Sequence, residues 1–131
     1  MSKILIADDD AFLIKIYSTH LRNDGHEVIT CTDGQSALEE SIAQTPDIIM
    51  LDIMLPRMNG LDVLEEIRKH KLTKSIPVIC LSNLTQEEEQ QAALDLGANE
   101  FLIKARLTPS QIIEVLHKYI EANPKNSKTK D

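Results

Sequence analysis

The sequence predicts an α/β fold, a doubly wound parallel sheet of five strands with helices on both faces. Two observations carry the prediction. Short apolar runs alternate five times with longer stretches at helical spacing along the 131 residues. The first, third and fourth runs, KILIA, DIIML and PVICL, are apolar almost throughout, as strands buried on both faces of a parallel sheet must be.

The elements follow in order. KILIA, Lys3–Ala7, is the first strand, and DDAFLIKIYSTHLRN the first helix, with Leu13, Ile16, Tyr17, His20 and Leu21 at helical spacing. Gly25 stops it, because a residue without a Cβ enters the left-handed region at no steric cost. EVITC alternates and suits a strand near a sheet edge. Asp33 caps GQSALEESIAQ, Pro46 closes that segment, and DIIML is the third strand. Asn59 caps GLDVLEEIRKH, in which Leu61, Leu64 and Ile67 share a face. PVICL is the fourth strand. Thr85 and Glu88 form a capping box before QEEEQQAALDLG, and EFLIK is the fifth strand. Thr108, Pro109 and Gln111 form a second helix start, leading to a helix that buries Ile112, Ile113, Leu116 and Ile120. This divides the chain into a domain over 1–122 and a polar, flexible tail over 123–131.

Composition excludes several function classes. A net charge of −7 disfavours direct binding to DNA, which needs a basic stripe, and 3% aromatics leave few stacking platforms. No apolar run approaches the ~20 residues of a membrane span, and MSKILIADDD lacks the small-residue ending of a signal peptide. Cys31 and Cys80 fall in strand runs and read as buried, reduced thiols of a cytoplasmic protein. His20, His26, His70 and His117 are scattered along the chain and read as surface or half-buried residues, with no metal cluster among them.

Open parallel sheets bind ligands beyond the carboxyl ends of their strands. Here the first strand ends in Asp8 and Asp9, the third in Asp52, the fourth in Ser82 and the fifth in Lys104. Neighbouring carboxylates repel unless a cation lies between them. Mg²⁺ suits them, being a hard ion that takes oxygen ligands and leaves room for phosphate oxygens. Lys104 and Ser82 can then meet the oxygens of a phosphoryl group carried on Asp52. Asp10 has a different use, at the positive end of the first helix.

With these residues in order, the sequence resembles the response-regulator receiver domains of two-component signalling, over residues 3 to 121. The resemblance rests on the acidic pair, on DIMLPRMNG from Asp52 to Gly60, on Ser82 and on Lys104. It implies a flavodoxin-like fold with strand order 2-1-3-4-5. It implies that Asp52 accepts a phosphoryl group from a histidine kinase or a phosphotransfer protein, so the chain catalyses only its own modification and is not an enzyme in the usual sense. It makes Asp9 a direct Mg²⁺ ligand beside Asp52 and the Met54 carbonyl, with Asp8 acting mainly through water. Ser82 becomes the switch hydroxyl and Phe101 the switch aromatic of a surface that engages a downstream protein. Side chains at Met54 and Leu84 border the approach of water to the phosphorus, and their apolar character implies slow self-dephosphorylation.

Departures from the family pattern are Asn83, where a small residue is usual, and Ala105, where Lys104 is usually followed by proline. A cis Lys104–Ala105 bond would cost roughly 2.5–4 kcal/mol, against ~0.5–1 for proline. The expectation is a trans bond, a rearranged path to Thr108 and an amine that still reaches Asp52. Two rivals fit less well. An aspartyl-phosphate hydrolase of the haloacid-dehalogenase type needs a second Asp where Met54 stands, and a flavodoxin needs a phosphate-binding first loop where ADDDAF carries negative charge. Only a short polar stretch follows the last helix, which suits a stand-alone regulator, a phosphate shuttle or an excised piece of a longer protein.

Overall fold

The computed structural model describes residues 1–83 and 87–122. Strands β1 (Lys3–Ala7), β2 (Glu27–Cys31), β3 (Ile48–Asp52), β4 (Val78–Ser82) and β5 (Glu100–Ile103) form one sheet in the order β2-β1-β3-β4-β5. Every neighbouring pair is parallel. Helices α1 (Ala11–Asn23), α2 (Gly34–Gln44), α3 (Gly60–Lys69), α4 (Glu87–Asp95) and α5 (Pro109–Ala122) supply the crossovers and the last layer. The fold class and strand order are those expected. β3 and β4 each lie one residue further along than DIIML and PVICL, so Asp52 and Ser82 are the last residues of their strands. The capping box at Thr85 and the tail over 123–131 fall outside the described residues.

The alternation of side chains along each strand divides the core in two. Ile4, Ile6, Ile48, Met50, Ile79 and Leu81 face α1 and α5, where Tyr17, Leu21, Ile112, Ile113, Leu116 and Ile120 complete one cluster. Leu5, Ala7, Ile49, Leu51, Val78 and Cys80 face α2, α3 and α4, meeting Ala37, Val63, Leu64, Ile67 and Ala93. On α1, Tyr17 and Leu21 are buried, Leu13 and Ile16 half-buried, and His20 exposed, which removes His20 from the apolar face. A half-buried Arg68 guanidinium ties the far end of the sheet together, donating to the carbonyls of Ile76 at 2.7 Å and Gly97 at 2.8 Å.

Caps set the helix starts. Asp10 accepts from the N–H groups of Phe12 and Leu13, which fixes it as the cap of α1 and leaves Asp8 and Asp9 to the strand end. At α5 the box is reciprocal: the Gln111 N–H donates to Thr108 Oγ1 at 3.2 Å and the Thr108 N–H to Gln111 Oε1 at 2.9 Å.

The loop from β3 to α3 is held more tightly than its sequence suggests. Arg57 has φ +70° while the Met58 N–H donates to the Pro56 carbonyl at 2.8 Å, the i to i+2 pattern of a γ-turn. Gly60 then passes so close to β3 that a Cβ there would collide with the Asp52 carbonyl. Its N–H donates to the Ile53 carbonyl at 2.7 Å. The last residue of DIMLPRMNG is therefore glycine for steric reasons, and that approach fixes the backbone carrying Asp52.

Two substitutions separate these constraints. Gly60→Ala should lower stability by about 1–3 kcal/mol, because backbone and not a flexible side chain stands in the way. Thr108→Ala should cost about 0.5–2 kcal/mol through the lost cap. Urea unfolding measures both, and a Gly60→Ala protein of parental stability would show that the loop can give way.

Candidate functional site

The parallel strands bring their carboxyl ends to one rim. Asp8 and Ser82 are fully buried there, Asp52 is 4% exposed and Asp9 is open to solvent. Asp8, Asp9 and Asp52 each place a carboxylate oxygen within 4.8 Å of the other two, the one acidic or metal-binding group of this kind among the described residues.

The two buried carboxylates are held in the same way. Asp8 Oδ1 accepts from the Asp10 N–H at 2.9 Å, and Asp52 Oδ1 accepts from the Met54 N–H at 3.0 Å. Their Oδ2 atoms meet the same ammonium: Lys104 Nζ lies 2.7 Å from Asp8 Oδ2 and 2.8 Å from Asp52 Oδ2. Each carboxylate thus uses one oxygen on the backbone two residues on and the other on Lys104.

Lys104 itself starts a short 3₁₀ turn, Lys104–Arg106, between β5 and α5. No peptide bond among the described residues is cis. The trans bond and the amine directed at Asp52 match expectation.

Burial raises the Asp52 carboxyl above its ordinary value. The hydrogen bonds from Lys104 and the Met54 N–H oppose that rise, and the Asp8 charge adds to it. For Lys104, burial alone would lower the ammonium, but its bonds to Asp52 and Asp8 outweigh this and raise it. Three carboxylates and one ammonium leave the site two negative charges in excess, with hard oxygen donors and one exposed member, Asp9. That donor set fits a divalent oxygen-seeking cation such as Mg²⁺.

Met54 is 58% exposed at the rim, and a groove of about 490 Å³ beside it is lined by Asp9, Pro56, Asn59 and Glu89 among others. Glu89 belongs to the acidic run of α4 that reads in sequence as a solvated helix face. Only the docking of α4 against β5 brings it to the groove. Phe101 is half-buried, one strand residue before Leu102, and packs against the core on the α2–α4 side. Leu84 lies outside the described residues. Cys31 and Cys80 are buried free thiols, pushed by burial up to about 11 and about 12. Both side chains stand inside the core, and the Cys31 carbonyl at the end of β2 accepts the Asp8 N–H at 3.0 Å.

Comparison with known proteins agrees with this geometry. The family model described as "Response regulator receiver domain" matches residues 4–117. The chain belongs to the response-regulator receiver family. It is 34% identical over 102 residues to the alkaline phosphatase synthesis transcriptional regulatory protein PhoP of Bacillus subtilis, covering 78% of this chain and 42% of that protein. The chain therefore spans less than half the length of that relative. Among solved structures, the chemotaxis response regulator CheY4 of Vibrio cholerae superposes with a TM-score of 0.83 at 28% identity, over 91% of this chain and 98% of that one. The receiver domain of the sensor histidine kinase PA1611 of Pseudomonas aeruginosa PAO1 gives 0.81 at 25% identity, over 91% and 97%, and holds a magnesium ion in its active-site cleft. Receiver domains are phosphoryl-accepting signalling domains. No helix among the described residues is long and apolar enough to cross a membrane.

The raised Asp52 carboxyl has a consequence for stability. A carboxyl with a higher value folded than unfolded binds its proton more tightly in the native state, so its contribution falls as pH rises from about 4 through the raised value. Asp52→Asn should therefore raise the thermal midpoint at pH 7, and the advantage should shrink as pH falls towards 4. A midpoint below the parent at pH 7, with a gap that closes in acid, would show that the Lys104 bond outweighs burial at Asp52.

Proposed function

We propose that this receiver takes a phosphoryl group on Asp52 in a Mg²⁺-dependent reaction and uses it to switch a partner-binding surface, with residues 1–122 as the working unit. The observation that carries the reading is the single ammonium of Lys104 shared by Asp8 and Asp52 at a rim with excess negative charge. The magnesium ion held by the PA1611 receiver supports the choice of metal.

Asp9, Asp52, the Met54 carbonyl and, through water, Asp8 would hold the ion. When bound it neutralises developing charge on the transferred group. In the transfer, an Asp52 carboxylate oxygen forms a bond to phosphorus as the phosphorus–nitrogen bond of a phosphohistidine donor breaks. The nitrogen keeps that electron pair. Lys104, already 2.8 Å from Asp52, exchanges a carboxylate oxygen for a phosphoryl oxygen at little conformational cost. The Met54 N–H keeps Asp52 in one rotamer throughout. Asp8 remains the fixed counter-charge of Lys104. The Ser82 hydroxyl, at the end of the adjacent strand, donates to another phosphoryl oxygen. Its movement together with Phe101 passes the event to the surface around α4, β5 and α5.

The donor is a histidine kinase or a histidine phosphotransfer protein, and the readout a downstream protein in the cytoplasm. The groove lined by Met54, Asn59 and Glu89 also takes in Asp9 and so opens at the rim beside the acceptor. A flavin-binding role finds no support at a first loop that presents three consecutive carboxylates.

Incubation with acetyl phosphate and Mg²⁺ should add one phosphoryl group by intact mass, and chelation or Asp52→Asn should abolish the addition. Labelling that persists in the Asn variant and maps to another residue would refute the assignment. Lifetime is a separate outcome. Met54 cannot orient an attacking water by hydrogen bonding, so the acyl phosphate should decay slowly. Combining Met54→Asn with Leu84→Glu should accelerate decay, with the ~10²–10⁴-fold of a fully positioned general acid or base as the upper bound. Unchanged decay in that double variant would remove the rim side chains from the account.

A further inference from the structure

The four histidines are far apart in sequence, yet three of them meet on one surface. His20 lies on α1, His26 in the turn before β2 and His117 on α5. α1 and α5 pack side by side over the same half of the core. Asp24, which ends α1, stands between two of the imidazoles: its Oδ2 is 3.7 Å from His20 Nε2 and 3.6 Å from His117 Nε2. The cluster sits where β2 begins, at the end of the sheet opposite the Asp52 rim.

The geometry points to a second cation site, formed by His20, Asp24 and His117, that takes Zn²⁺ or a related nitrogen-seeking divalent metal and ties α1 to α5. A tetrahedral ion with ligands at about 2.1 Å sets its donor atoms about 3.4 Å apart. The two distances from Asp24 Oδ2 lie within a few tenths of an ångström of that edge. His20 and Asp24 are four residues apart, which puts both on one helix face, one turn apart. Two imidazole nitrogens and one carboxylate oxygen are the ligand types of a zinc site that keeps an open position. Magnesium, which prefers oxygen, has no comparable claim here.

The third edge, between the two imidazoles, is not closed, because His20, Asp24 and His117 do not all bring donor atoms within 4.8 Å of one another. Closure requires an imidazole to rotate towards its partner. The side chains are 43% exposed at His20 and 33% at His117, and among the described residues no hydrogen bond to another group pins either ring. Adjustment of this size suits a micromolar site better than a tightly preorganised one. His26 is excluded as a ligand in its present state. Its Nδ1 accepts the Ser2 N–H at 3.1 Å, so the neutral ring carries its proton on Nε2 and has no free lone pair. Its ring centroid stands 5.6 Å from that of His117 and packs one side of the site.

The test is calorimetric titration of Zn²⁺ into the metal-stripped full chain, with saturating Mg²⁺ present to fill the acidic rim. One Zn²⁺ per chain should bind in the micromolar range. The thermal midpoint should rise by about 5–10 °C at a hundredfold excess over Kd. His20→Ala and His117→Ala should each weaken binding at least tenfold, and the imidazole NMR signals of both residues should shift on titration in the parent. No binding to the parent below millimolar Zn²⁺ would overturn the site. So would binding that survives the His20→Ala/His117→Ala pair but disappears with Asp9→Asn, since that result assigns the ion to the rim.

Discussion

One ammonium group holds the rim together. Lys104 Nζ lies within 3 Å of an oxygen on each of two buried carboxylates that sit on different strands. Without it, Asp8 and Asp52 would face each other with neither solvent nor a counter-charge, and a buried charge stripped of its partner costs about 3–5 kcal/mol. The arrangement is still incomplete, because one positive charge cannot balance three negative ones. That deficit makes the site receptive to a divalent cation and then to a phosphoryl group. The polar rim departs from the rule that cores stay apolar, and the departure is tolerated because every buried carboxylate oxygen has a backbone N–H or the ammonium to face.

The rest of the fold serves this pairing. Parallel strands carry all the relevant side chains to one end, and the two apolar clusters on either face of the sheet fix strand positions to the residue. The close pass of Gly60 over the Asp52 carbonyl and the γ-turn at Arg57 hold the loop that follows the acceptor. Asp10, bonded to the first turn of α1, keeps its own charge out of the site while its backbone N–H steadies Asp8. Structure and chemistry therefore share residues: removing the cap at Asp10 would disturb Asp8 as well as the helix.

Much of this was legible in the sequence. The continuous apolar runs at β1, β3 and β4 identify central parallel strands. Parallel strands in turn imply that Asp8, Asp9, Asp52, Ser82 and Lys104 converge, since each ends or follows one. Asp33, Asn59 and Thr108 mark helix starts through side chains that satisfy free N–H groups. What escaped depends on how elements pack. The place of Glu89 at the groove needs α4 docked on β5, and its acidic run has no periodicity that says so. The gathering of His20, His26 and His117 needs the pairing of α1 with α5, two helices separated by most of the chain. The one-residue shifts of β3 and β4 reflect hydrogen-bond register, which an apolar run constrains only loosely.

The central claim is that Lys104 holds two carboxylates by charge and competes with a metal for them. Magnesium affinity in Lys104→Met, measured by calorimetry against the parent, tests it most directly. Met keeps the bulk of the side chain and removes the positive charge. The account predicts tighter Mg²⁺ binding in the variant, together with lower stability in the absence of metal and impaired phosphorylation. Weaker or unchanged Mg²⁺ affinity, with stability equal to the parent, would contradict it.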